Sequence, residues 1–536
     1  MNEEAPSEQE VKEVLKNFKN NKSAGTDKLN TEGLKYNDSK NLVQGIVTLL
    51  MLIWTSLVVP AVWLHSSINC LYKKGAMDVA ANYRGLSIGA NMSRIIAKII
   101  INRFKSIYEQ QISETQFGFR QNRSTSDGIF ILKSTIEKCG GPLIAVYIDL
   151  TAAYDHIPRD FLFRVLEIRI GARHLVAILR KMYSGTTAAI RGMKCKFDVL
   201  TGCRQGGQES PCLFNFYLDY VLDVAASEID KAFPDGWGIE FQYNVPYLCT
   251  NRDQRRTGRM RGVEILRWIL YADDAVLFCK TIREAEQLLL IINNTFNRFG
   301  LTISYKKTKT QVFNDKEMAA RDTLLSIGEH VIENVHEFVY LGQVITNDEK
   351  GCFTQHRIAR ATAKFNELRT VLTDRKVNLR TRRKLLEACV RSRLTYGTQA
   401  WYPNAEQLRK LEACWIQLQR SMINGGWKRK ETPEDTEEVD YSFVYTNNDV
   451  LMIMKTAPLC NFIQAQYLKY IAHICRSPNT SIPKKILFSK SNHKYYRDPW
   501  IKISDLLGVS VEQAKKLTQS RCEFAALTWK RLGASP

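Results

Sequence analysis

The stretch Tyr271-Ala272-Asp273-Asp274-Ala275-Val276-Leu277-Phe278 decides how this chain is read. Two adjacent carboxylates, Asp273 and Asp274, sit between apolar segments: Ile265, Leu266, Trp268, Ile269 and Leu270 before them, Ala275 to Phe278 after. Each flank is β-branched and aromatic, lacks proline and glycine, and has strand length. The acidic pair therefore falls where a hairpin turns. Two carboxylates between buried strands are electrostatically unfavourable unless something cationic holds them. A divalent metal suits that task, because hard cations prefer oxygen ligands. Taken alone, the tetrapeptide is equally well an ordinary solvated Asp-Asp turn.

A third carboxylate upstream favours the metal. Leu143 to Ile148 reads as a buried strand that delivers Asp149, followed by Leu150, by Thr151 to Asp155, and by Pro158, a good first helical residue. One aspartate at a strand end and two at a hairpin turn are the minimal apparatus for holding two cations about 3.5–4 Å apart. The same residues carry a resemblance. KSAGTD at 22–27, LYKKG at 71–75, NYRGLSI at 82–88, QFGFRQNRST at 116–125, VYIDLTAAYD at 146–155, CRQGGQESPCLFN at 203–215, YADD, GLTISYKKTK at 300–309 and FVYLG at 338–342 stand in family order. Together they resemble the reverse transcriptase of a non-LTR (long interspersed element type) retrotransposon, over about residues 20 to 345.

The resemblance implies an α+β right-hand polymerase. Fingers with an N-terminal helix would occupy 1–142, an antiparallel-sheet palm 143–350, a helical thumb 351–430, and a linker with a helical extension of unknown role 431–536. It implies RNA-directed DNA synthesis with two Mg²⁺ ions, Mn²⁺ being the substitute, held by Asp149, Leu150, Asp273 and Asp274. Lys307 would sit near the leaving pyrophosphate as a general acid. Lys73 or Lys74 together with Arg84 would grip the nucleotide's phosphates, since guanidinium presents a planar fork to phosphate oxygens. Tyr154 would exclude a 2′-hydroxyl, Gln205 and Gly206 would line the nucleotide pocket, and Arg120 and Arg123 would touch the template. Tyr340, Leu341 and Gly342 would grip the primer end. Surface lysines, a core tyrosine and a solvated basic loop are the plainer readings of these positions. Two departures from the family pattern stand out. Gly85 replaces the usual proline, and Gly207-Gln208-Glu209 brings an acid expected to weaken nucleotide binding.

Composition bounds the partners. A chain of 536 residues with 45% hydrophobic and 24% charged content is an ordinary globular protein of several domains. Its net charge of +21 points to a polyanion, with nucleic acid ahead of an anionic membrane. The expected partners are an RNA template, a DNA primer or target DNA, and deoxynucleoside triphosphates, with oligomeric state undetermined. Thirteen cysteines without C-x-x-C pairs suggest reduced thiols, and the acidic start shows no secretory signal. The expected location is nucleus and cytoplasm. Residues 41 to 72 lack Asp, Glu, Lys and Arg and resemble a membrane span, but polar residues interrupt them and Pro60 breaks the run. A buried helix followed by an extended crossing is the preferred reading.

The remaining elements follow from periodicity. Ser7 and Glu10 form a capping box before Val11, Val14, Leu15 and Phe18. Ile157, Phe161, Val165 and Ile168 predict a core-facing helical stripe, and Asp155 a structural contact with the start of that helix. Residues 230 to 262 read as an inserted loop with a basic run at Arg252, Arg255, Arg256, Arg259 and Arg261. From Thr354 to Lys430 there are 18 Lys plus Arg and 5 Asp plus Glu, a net of 18 − 5 = +13. There Phe365, Leu368, Val371 and Leu372 supply an apolar stripe and residues such as Arg357, Arg360, Arg382 and Arg393 positive faces, which suits a thumb laid along a duplex. Glu431 to Asp440 holds six acids and marks a linker. Beyond it, Leu451 to Ile474, Ile501 to Leu507 and Val511 onward read as helices. Cys460, His473, Cys475 and His493 fit no usual zinc spacing. No endonuclease blocks are recognised at either end. Two rivals remain: a group II intron maturase type enzyme, and a non-catalytic RNA-binding scaffold descended from such an element.

Overall fold

The structure, a computed structural model, describes residues 1–37, 39–244, 261–315, 325–347, 352–423, 427–429, 441–490 and 499–532. The strands are β1 His65–Tyr72, β2 Tyr83–Ile88, β3 Leu143–Ile148, β4 Thr187–Ile190, β5 Lys196–Asp198, β6 Ile239–Asn244, β7 Arg261–Leu266, β8 Trp268–Tyr271, β9 Asp274–Cys279, β10 Lys309–Phe313, β11 Leu325–Ile327, β12 His330–Asn334, β13 Glu337–Tyr340 and β14 Gln343–Thr346. Helices and sheets are mixed throughout, as an α+β reading expects.

All six residues of β3 are buried, so the strand needs cover on both faces. It lies inside a six-stranded sheet of order β11-β12-β10-β3-β9-β8, antiparallel to β9 and β10. The period of two then divides its side chains between two cores. Ile144, Val146 and Ile148 face one core with Leu277 and Cys279 of β9, under the helices Ser210–Ala232 and Ile282–Arg298. Leu143, Ala145 and Tyr147 face the other with Val276 and Phe278, where Leu468, Ile471 and Ile474 of the helix Leu459–Arg476 close the rear. The C-terminal helices are thus not an appendage. They share the sheet's second core, because an apolar strand with one bare face has no stable alternative.

A second sheet of order β2-β1-β4-β5 carries the hairpin β1–β2, with Leu71 opposite Arg84 and Tyr72 opposite Tyr83. The Ser7 capping box starts Glu8–Lys16, whose Val11, Val14 and Leu15 are buried. The acid- and base-free run resolves into Lys40–Ser56, which ends in left-handed Leu57 before Pro60, and then the extended β1. Among the described residues no helix is long and apolar enough to cross a membrane.

Three periodicity readings shift. Phe161 and Ile168 are exposed, at 41% and 66%, while Leu162, Phe163, Val165, Leu166 and Ile170 are buried. Ile157 precedes the helix Arg159–Ile170, so a phase counted from it is offset. Val371 is exposed, and Arg357 and Arg382 are buried rather than facing solvent. Arg382 donates to the carbonyls of Leu372, Val377 and Met422, where it ties helix ends together. In the expected inserted loop, Ile239–Asn244 is a strand paired with β7, with Ile239 and Phe241 buried. Arg252, Arg255, Arg256 and Arg259, the acidic run Glu431 to Asp440 and His493 lie outside the described residues. The C-terminal pattern breaks at Pro458 into Asn447–Met454 and Leu459–Arg476, followed by Ile482–Leu487, Pro499–Leu507, Val511–Gln519 and Arg521–Leu532.

Candidate active site

β3 pairs with β9 so that Tyr147 opposes Val276 and Ile148 opposes Ala275. One further step of that register sets Asp149 against Asp274, and cross-strand neighbours stand roughly 5 Å apart at Cβ. Asp273 lies in the two-residue turn between β8 and β9. The three carboxylates feel one another. Burial, then repulsion from Asp149, raises Asp273 above the usual range, with Arg84 and Lys307 pulling the other way. Desolvation, then Asp273 and Asp149, pushes Asp274 up to about 6. Among the described residues neither Asp273 nor Asp274 has an ion-pair partner, whereas Lys307 Nζ lies 3.1 Å from Asp149 Oδ1.

The turn that presents Asp273 is strained. Ala272 has φ 57°, the left-handed region that a residue with a Cβ rarely adopts. Gln116 holds it there: its Oε1 accepts from the Ala272 N–H at 2.9 Å, and its Nε2 donates to the Ala272 carbonyl at 3.3 Å. Gly118 packs beside it, where an added Cβ would meet the Ala272 nitrogen at 2.4 Å. Behind Asp149, the segment before β10 is stitched on. The Asp149 carbonyl accepts from Ser304 N–H, its own N–H donates to Thr308 Oγ1, and Leu150 bridges to Ile303. The turn that carries Lys307 is therefore fixed relative to the acid that Lys307 touches.

The hairpin β1–β2 leans over this floor. Burial raises Asp155 as it does Asp273, with the charges of Lys73 and Arg84 acting against it at Asp155 and that of Arg84 at Asp273, while Lys74 is exposed on the same turn. Asp155 accepts from Gln205 Nε2 at 2.8 Å, so its partner is that amide and not the start of a helix. The Gln205 carbonyl accepts from Ser87 N–H, and Gly206, with φ +106°, leaves only 3.0 Å between an imagined Cβ and the Ser87 carbonyl. The glycine allows the loop to close against β2. Tyr154 stacks on Phe214 at 4.3 Å, and among the described residues its buried hydroxyl has no hydrogen-bond partner. Glu209 is buried and accepts from Tyr183 OH at 2.9 Å, so its carboxylate is engaged inside the fold.

Arg120 and Arg123 are both engaged in ion pairs within the chain. Arg120 is buried and pairs with Glu109 and Glu114, and Arg123 pairs with Glu114. The hairpin β13–β14 turns through Leu341 (φ 46°) and Gly342 (φ 76°), with Tyr340 buried beneath and its hydroxyl unpartnered among the described residues. Tyr396 OH donates to the Leu341 carbonyl at 2.8 Å, and Arg357 donates to the Gly342 carbonyl. The tasks of Gln116, Thr308 and Tyr396 escaped sequence reading because each acts on backbone atoms, which leave no pattern in side-chain type. Cys460, His473 and Cys475 do not converge: Cys475 is buried, and His473 faces the Asn122 carbonyl.

Among the described residues no group of three or more His, Cys, Asp or Glu side chains is arranged to hold a metal ion. Oxygen-only donors at the cleft floor, with raised affinity for positive charge, nevertheless suit a hard divalent cation.

Comparison with known proteins follows the same lines. A family described as reverse transcriptase (RNA-dependent DNA polymerase) matches residues 71–345, half of the chain. A putative 115 kDa protein of a type-1 retrotransposable element of Drosophila melanogaster is 23% identical over 374 residues, 66% of this chain and 32% of that protein. An uncharacterized 91 kDa protein in a cob intron of Schizosaccharomyces pombe is 25% identical over 257 residues, 44% of this chain and 31% of its own length. A probable RNA-directed DNA polymerase from the X-element transposon of Drosophila melanogaster is 25% identical over 225 residues, covering 39% and 24%. The matched part thus spans about a third or less of these curated relatives.

Proposed function

This chain belongs to the reverse transcriptase (RNA-dependent DNA polymerase) family, in the non-LTR (LINE-type) retrotransposon branch, and on that premise we propose that it extends a primer 3′-hydroxyl with deoxynucleotides on an RNA template. The observation that carries the reading is the meeting of Asp149 with the Asp273–Asp274 turn, three acids otherwise unneutralised except by Lys307. Asp149, Asp273, Asp274 and the Leu150 carbonyl would hold two magnesium ions. When bound, these ions supply Lewis acidity to the attacking hydroxyl and neutralise charge on the leaving pyrophosphate.

The chain's own residues do the positioning. Arg84 and Lys73 lie over the acidic floor, where triphosphate oxygens would bridge the two charge sets. The Tyr154 ring, backed by Phe214, supplies the flat surface under the sugar that admits hydrogen and excludes hydroxyl at C2′. Lys307 is placed to hand a proton to the pyrophosphate as it departs. The turn at Leu341–Gly342 supports the primer end. In this reading the sheet β2-β1-β4-β5 belongs to the fingers, the six-stranded sheet to the palm, and 351–430 to the thumb, with action inside the cell in nucleus and cytoplasm.

Primer extension on poly(rA)–oligo(dT), with Asp273→Ala beside the wild type, tests this. Extension by the wild type alone is expected. Equal product from both proteins, or none from either, defeats the assignment and leaves the non-catalytic scaffold.

A further inference from the structure

The helix Leu459–Arg476 closes the rear of the sheet, yet part of its surface does not face the core. Lys469 is exposed and His473 and Arg476 half-buried, lining a trough of about 650 Å³ together with Arg521 of the helix Arg521–Leu532. Among the described lining residues of that trough there is no aspartate or glutamate. Arg476 and Arg521 repel one another there. Two like charges held together without an acid between them are stabilised by an anion from outside.

The trough does not stand alone. It shares Ser392 and Tyr396 with a second one of about 660 Å³, which begins at Gly342 of the β13–β14 turn and is lined by Arg360, Lys364 and Arg393. The acid in that second trough, Glu367, is engaged by Lys364. A cationic path therefore runs from the hairpin turn, past Tyr396, onto the C-terminal helices. Its cations, Arg360, Arg393, Lys469 and Arg521, are of the kind that meet phosphates.

We propose that the C-terminal helices are the far wall of the nucleic-acid track, and that Lys469 and Arg521 bind the phosphate backbone of the RNA–DNA duplex after it leaves the cleft. This rests on the polymerase reading, which supplies the duplex and its direction. Charge complementarity and continuity with the hairpin turn choose the occupant. A duplex too short to pass Tyr396 gains nothing from these cations, and a longer one does.

The test uses the full chain and RNA–DNA hybrids of graded length, with binding measured as a function of salt. The wild type is expected to bind more tightly as the hybrid lengthens. Lys469→Glu/Arg521→Glu should lose that gain, about tenfold on the longest hybrid, and its salt slope should fall by about two, one counterion release per phosphate contact. The neutral pair Lys469→Gln/Arg521→Gln should lose it in part, and an unchanged melting midpoint shows both variants folded. An undiminished gain in the charge-reversed protein overturns the proposal, as does equal weakening on short and long hybrids. So does a wild type that gains nothing with length while single-stranded RNA competes fully. A protein that extends no primer, yet shows the gain and loses it on substitution, refutes the polymerase reading and leaves this surface standing.

Discussion

The two faces of the central sheet treat buried charge in opposite ways. Behind it, three buried charged groups have partners. Lys138, nine-tenths buried, donates to the carbonyls of Ile486, Leu487 and Ser489 and to the Ser489 hydroxyl. Asp127 accepts from Tyr470 OH and from Ser124, and Arg120 is flanked by two glutamates. At the front edge, burial and then Asp149 raise the proton affinity of Asp273, burial and then Asp273 and Asp149 raise that of Asp274, and neither acid has an ion-pair partner among the described residues. Beside them sit the left-handed Ala272 and the buried Tyr154 hydroxyl, which has no hydrogen-bond partner among the described residues. Burial alone does not explain this, because the same sheet supports both arrangements. Unsatisfied charge collects where a ligand is to complete it.

The largest effect should come from removing a front acid. Asp149→Asn, which keeps size and hydrogen bonding, should lower primer extension by about a thousandfold or more, the scale of losing a charged group aimed at a transition state. Its melting midpoint should hold or rise. A loss of stability in proportion to activity would show that the front acids are structural like those behind.

Removing a rear charge should do the reverse. Lys138→Met removes the ammonium on which the carbonyls of Ile486, Leu487 and Ser489 converge and should cost about 3 kcal/mol in stability. Activity per folded molecule should be unchanged. Chemical denaturation beside single-turnover extension separates the two quantities, and a catalytic defect in well-folded Lys138→Met would blur the contrast.

How much of this was legible in the sequence follows from where each contact ends. Asp149, Asp273 and Asp274 could be read because a strand, a turn and an acid are each local, and nine blocks in order brought them together. The FVYLG hairpin was legible for the same reason. The rear core was not. That Ala145 and Phe278 pack near Leu468 links segments almost two hundred or more residues apart, and nothing periodic in either strand names its cover. Arg357 and Arg382 misled because their charge suggests solvent, while each ends on backbone carbonyls inside the fold. Gln116 was quoted within a block, yet its task, pinning the Ala272 backbone, depends on a loop folding against a turn 156 residues away.

A smaller effect distinguishes the faces by pH. Asp274 is raised to about 6 in the folded chain from an ordinary value near 4. An acid whose folded value is raised holds its proton more tightly in the native state, so stability falls as pH climbs from about 4 to 6 and stays lower above. Asp274→Asn removes that penalty. It should stabilise the metal-free protein at pH 7 by about 1 kcal/mol, allowing for solvent screening in the cleft. The gain should vanish below about pH 4, where both states are protonated. A melting series across pH in chelator checks it, and a pH-independent gain would mean that shape rather than charge was relieved.

The smallest effect tests the join between the faces. Tyr396 donates to the Leu341 carbonyl at 2.8 Å and to Thr125 Oγ1 at 3.2 Å, with the Arg357 guanidinium 4.9 Å over its ring. Tyr396→Phe keeps the ring and that cation–π contact and deletes only the donor. One such bond contributes about 1 kcal/mol, so the hairpin turn should loosen without the fold opening. If the turn positions the primer end, the apparent KM for primer–template should rise by about fivefold while kcat barely moves, because chemistry at Asp149 is untouched. A fall in kcat at constant KM would place the turn in the chemical step instead. No change in either would show that Arg357 alone holds the Leu341–Gly342 corner, and that front and rear are coupled through charge and not through the tyrosine.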